Sequence, residues 1–157
     1  MTLNLASILM LSGILSASQF AAEVAKGGPK SAVDRLVAGG DWGRVIGGIR
    51  NGAGDWISLA PELASGADAA HGAELTTALA AALSRAPSEV LAIADLRRGP
   101  VLGVQMICSA PAGAFGPQGR AAYLAEAREA LELLPDVAAV GKAKAVCLKE
   151  LALAAAR

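Results

Sequence analysis

The stretch 69–86, AAHGAELTTALAAALSRA, decides the fold class. Leu75, Leu79, Ala82 and Leu83 stand at i, i+4, i+7 and i+8, the spacing of one buried helix face. Ala and Leu are strong helix formers, and no Pro interrupts the run before Pro87. Ser65-Gly66-Ala67-Asp68 stops the preceding element, and the Asp68 carboxylate is placed to cap the new one. A long helix over this stretch is therefore the anchor of the reading.

Outward from it the same signals repeat. On the C-terminal side Pro87-Ser88-Glu89 opens a helix that carries Val90, Leu91, Ile93 and Leu96 and stops at Arg97-Arg98-Gly99-Pro100. Val101 to Ile107 has a β-like flavour, and Ser109 to Gly119 reads as one long connection entered by a short helical turn near Cys108. Arg120 to Leu134 is predicted helical with a stripe of Leu124, Ala127, Leu131 and Leu134, and Arg128 and Glu132 pair at i, i+4 outside it. A last helix turns Val137, Val140, Cys147, Leu148 and Leu151 inward and leaves Lys142, Lys144, Lys149 and Glu150 to water.

On the N-terminal side there is an internal echo, Gly40-Asp41-Trp42 and Gly54-Asp55-Trp56, fourteen residues apart. In each, Gly ends an element, Asp caps the next and Trp starts it. Val45, Ile46 and Ile49 form the stripe of the helix between them, which stops at Asn51-Gly52. Pro61 restarts a helix, since a helix tolerates Pro only in its first turn. Ser31 caps a short helix with Val33, Leu36 and Val37, ended by Gly39-Gly40, and Lys26 to Lys30 (KGGPK) reads as a flexible lead into it.

No charged residue occurs before Glu23. Leu5 to Leu15, LASILMLSGIL, is a short apolar run followed by Ser16-Ala17-Ser18, which matches a secretory signal with cleavage after Ser18, leaving residues 19–157 as one domain. The run lacks the usual Lys or Arg ahead of it. An uncleaved anchor and an ordinary first helix are the competing readings, the anchor weakened because a bilayer span needs about 20 mainly apolar residues. The two cysteines agree with export: an even count in an exported chain reads as one disulfide, Cys108 to Cys147, against two buried free thiols.

The chain has 157 residues, 54% hydrophobic, 18% charged and 3% aromatic, with fourteen basic side chains balancing fourteen acidic ones. That is enough apolar material for a real core and excludes intrinsic disorder. Zero net charge argues against a nucleic-acid partner, which demands excess Lys and Arg. The fold expected is all-α, a compact multi-helix bundle or a short α-solenoid-like stack of helical hairpins. Two imperfect copies of an echo fall short of a repeat array.

Chemistry is sparsely signalled. The single histidine, His71, stands with Asp68 and Glu74 at i−3 and i+3, but no second His completes a zinc set. No Gly-x-Ser-x-Gly occurs, and GGDWGRVIGGIRNGAGDW lacks the Gly-Lys-Ser/Thr of a phosphate loop, so no cofactor is expected. Asp41, Asp55, Glu62 and Asp68 are the carboxylates through which a cell-envelope hydrolase would act, although three of them stand at helix caps. Trp42 and Trp56 read either as core anchors or as an exposed interface.

Trp42, Ile49, Gly52, Trp56, Leu59, Ala60, Leu63, Asp68 and Ala69, with the later Cys108 and Cys147-Leu148, form a pattern that resembles a group of small exported proteobacterial proteins. They are uncharacterised, and the resemblance implies a helical fold and no activity. The function expected is a non-enzymatic periplasmic module that binds another protein, for instance an immunity protein neutralising a secreted effector. An envelope hydrolase and a purely structural envelope protein are the alternatives.

Overall fold

The computed structural model describes residues 16–97 and 99–157. The expected signal segment lies outside the described residues as far as Leu15. From Ser16 onward the chain is helical: α1 (Ala17–Ala38), α2 (Trp42–Arg50), α3 (Gly54–Ser58), α4 (Ala60–Gly66), α5 (Ala69–Ala82), α6 (Pro87–Ile93), α7 (Val104–Ile107), α8 (Arg120–Glu132) and α9 (Ala138–Ala155). Among the described residues there is no strand. The stretch expected to be β-like, Val101 to Ile107, is instead a turn leading into α7, with one isolated bridge between Asp95 and Gly103.

The anchor helix is more deeply set than its stripe suggests. In α5 not only Leu75 and Leu79 but also Gly72, Thr76, Ala78 and Ala80 to Ala82 are buried. From Leu75 onward the helix is buried nearly all round, as a central helix is, and α5 packs against α2, α4, α6 and α7. Each fully buried Leu contributes about 1.5–3 kcal/mol of transfer free energy. Thr76, the buried polar side chain of this helix, places its hydroxyl 2.9 Å from the Val101 carbonyl and 3.0 Å from that of Gly72.

Around α5 the first six helices pair with their third neighbours: α1 on α4, α2 on α5, α3 on α6. Of the two arrangements the sequence allows, this is a bundle, because α5 needs partners on all sides and a row of hairpins would supply only two. The successive helices α8 and α9 also pack against each other. The disulfide Cys108–Cys147 is formed, with the two Cα atoms 5.2 Å apart, and ties the end of α7 to the middle of α9.

Several local expectations are corrected. Lys26 to Lys30 is not a flexible lead but the inside of α1, which kinks at Gly28 (φ +83°) just before Pro29. Pro29 removes a backbone donor and forces a bend. The helix resumes because Phe20 on one side and Val33 and Leu36 on the other are both buried in the core. The helix starts at a capping box: the Ser16 hydroxyl accepts the Gln19 N–H at 3.2 Å and the Gln19 side chain accepts the Ser16 N–H at 2.9 Å. The bond after Ser18 thus lies in its first turn. Val137, expected inward, is 49% exposed, whereas Lys144, expected in water, is 12% exposed and donates to the Leu134 carbonyl and to Asp136.

Candidate functional site

The tryptophans do not play equal parts. Trp42 begins α2 and is buried, so it offers no surface by itself. Its indole N–H donates to the Glu74 carboxylate at 2.6 Å, and the His71 ring stands edge-on to it with centroids 5.0 Å apart. His71 in turn brings Nδ1 within 2.8 Å of Asp68, whose carboxylate also accepts the His71 backbone N–H at 2.9 Å. These two bonds, the backbone one first, hold the Asp68 carboxyl below its ordinary range. The sequence places His71 and Glu74 in a solvated first turn. In the fold Trp42 of α2 partly covers His71, while Glu74 stays exposed and accepts the indole N–H. Trp56 is half-buried in α3 and stacks obliquely on Phe20 of α1 with centroids 5.8 Å apart.

The carboxylates are engaged one by one. Asp68 caps α5 as expected. Asp41 stands at the cap position of α2 but turns to Arg44 at 3.1 Å instead. Asp55 is inside the first turn of α3, capped by Ala53, and accepts the Trp56 N–H at 2.9 Å. The two Gly-Asp-Trp copies are therefore not equivalent: one enters its helix at Trp, the other at Gly. Glu62 carries a buried oxygen without a hydrogen-bond partner. A cleft of 180 Å³ beside Asp68 and His71 is walled by Lys30 and Asp34, which pair with each other. It is smaller than the ~300 Å³ at which small-molecule sites begin. Among the described residues no group of three or more His, Cys, Asp or Glu is placed to hold a metal ion, and no helix is long and apolar enough to cross a membrane.

A larger opening lies elsewhere, where the sequence reading placed no site. The antiparallel pair α8–α9 leaves an outward trough of 460 Å³ lined by Arg120, Ala121, Leu124, Ala125, Arg128, Leu151, Ala152 and Ala155. The helices are held in place from beneath. Tyr123, buried on the inner side of α8, donates its hydroxyl to the Ala80 carbonyl of α5 at 2.9 Å, and burial pushes its phenol far up, so it stays a donor. Arg120 donates to the Ala154 carbonyl at 2.5 Å, where the last carbonyls of α9 and the helix dipole both favour a cation. Arg128 donates Nε–H to Glu132 at 2.7 Å. The signal for this surface was present in the sequence: Ala121, Ala125 and Arg128 share a side of α8 next to the buried stripe. Small and charged residues on the same side read simply as solvent-facing until α9 is in place beside them.

Compared with family models, curated proteins and solved structures, the chain matches none.

Proposed function

We propose that this chain is a protein-binding module of the bacterial cell envelope that works through its surface rather than through a reaction. The observation that carries this reading is the α8–α9 trough, an open apolar floor with a guanidinium towards each end. Protein interfaces combine an apolar, desolvated centre with Arg among the favoured residues, and an exposed trough lined by Ala, Leu and Arg fits that composition. The disulfide supports placement in an oxidising compartment, where such bonds persist. Neutralisation of a secreted effector, as an immunity protein, is the concrete form this takes, since it demands a small rigid scaffold and one complementary face.

The test is recovery of a partner from periplasmic extract with the tagged, disulfide-intact chain. A specific protein retained by the wild type and lost with Ala125→Glu, which puts a charge on the trough wall, is the expected result. Failure to retain any specific protein at micromolar bait removes the reading. A toxin encoded beside the gene would select the immunity role.

A further inference from the structure

We infer that the α8–α9 trough receives an amphipathic helix of a partner protein whose apolar row is flanked by carboxylates about two turns apart. The inference rests on the binding-module reading above and adds the chemistry of the occupant.

Shape is the first argument. Ala121 and Ala125 on α8 face Ala152 and Ala155 on α9, with Leu124 and Leu151 between them on the floor. Two antiparallel helices with small residues along their shared outer edge leave a straight channel, and side-chain ridges of a third helix fit such a channel at close range. Exposed Ala residues alone would say little. Here they border Leu124, which is packed on its inner side and partly exposed on the outer one, while Leu151 beneath is fully packed.

Charge is the second argument, and it selects among occupants. Arg120 and Arg128 stand on the same wall, eight residues and thus about 12 Å apart along α8. Each spends one N–H group on Ala154 or Glu132, and a guanidinium has five to offer. The acidic residues Glu126 and Glu129 line the other side of α8, beside Ser84 and Arg85. The charged side chains lining the trough are thus both arginines, although Arg128 already shares its charge with Glu132 one turn on, and the other acidic residues stand away from it. An acidic helix is steered to the trough, and a basic one is met by two like charges. The apolar run Leu5–Leu15 of this same chain is a poorer occupant, because it contains no carboxylate to meet either arginine. A free fatty acid would satisfy one arginine and leave the other unmatched.

The experiment pans the intact wild-type chain against a displayed library of helical peptides, about four turns long, with a Leu/Ala row and randomised charges beside it. Enriched peptides are expected to carry Asp or Glu at two positions seven or eight residues apart. They should bind Arg128→Glu at least tenfold more weakly, equivalent to about 1.4 kcal/mol, and lose affinity as salt rises. Arg128 is exposed and leaves the Arg120–Ala154 bond intact, so this variant keeps the fold; Arg120→Glu is the second, stronger arm. Enrichment without acidic bias, or binding unchanged in Ala125→Trp, which fills the channel, overturns the inference. So does occupation of the trough by a synthetic 5–15 peptide or by dodecanoate in preference to the selected helices. A cellular partner retained equally by wild type and Arg128→Glu overturns the inference while leaving the module reading standing, whereas loss of any cellular partner removes that reading itself.

Discussion

At the scale of single residues, polar contacts in this protein fasten a core that is otherwise nearly all aliphatic. Trp42 combines a buried ring with a donor satisfied by Glu74. Trp42→Ala should cost about 3–5 kcal/mol, measured by urea unfolding, as expected for an emptied aromatic site. Tyr123→Phe removes one hydrogen bond without a cavity. Its acceptor, the Ala80 carbonyl, keeps the Leu83 N–H at 3.2 Å, so the loss should be only about 0.5–1.5 kcal/mol. Asp68 makes stability depend on acid. Its carboxyl is lowered in the folded state below the ordinary value of 3.8, so its contribution is present above that value and lost as pH falls through the folded one. Asp68→Asn keeps a capping oxygen but not the charge. Its urea midpoint should therefore drop less than that of wild type between about pH 6 and pH 3; an equal drop would assign the acid sensitivity to other carboxylates.

At the scale of elements, glycine positions separate close packing from open helix surface. A Cβ at Gly66 would run into the Pro29 carbonyl, where α4 seats against the kink of α1. Gly66→Ala should accordingly destabilise by about 1–3 kcal/mol through overpacking against backbone. Gly43 in α2 meets no such neighbour among the described residues, and Gly43→Ala should be neutral or stabilising by up to about 1 kcal/mol. Thermal melts of the pair give the comparison directly. Opposite results would mean that α1 and α4 do not approach as closely as described. The helix ends were largely readable, because Gly39-Gly40, Asp68 and Pro87 act within a few residues. The lead into α1 was misread for the same reason: Gly28-Pro29 is a local breaker, and only burial of Phe20 and Val33 carries the helix through it.

At the scale of the molecule, one covalent bond joins α7 to α9 across 39 residues. Closing a loop of that length restricts the unfolded chain by about 4 kcal/mol in the chain-entropy account. The Cys108→Ala/Cys147→Ala double variant should unfold at clearly lower urea, with a loss of about 2–5 kcal/mol. Both cysteines are fully buried, so the native bond should also resist reductant until the chain opens. Rapid reduction of the folded protein without denaturant would contradict that. Because the bond holds α9, one wall of the trough, its removal should also weaken any binding there if the proposed module reading is right.

The all-α class, most helix limits and the Cys108–Cys147 pair were legible in the sequence, because periodicity, caps and cysteine count are local or additive properties. Third-neighbour pairing around α5, the contacts of His71 and Glu74 with Trp42, and the trough between α8 and α9 were not. Each depends on which helix stands beside which, and an exposed Ala reads alike on a bare helix and on the wall of a groove. Local rules set the elements; only their packing turned an unremarked row of Ala and Arg into a surface with shape and charge.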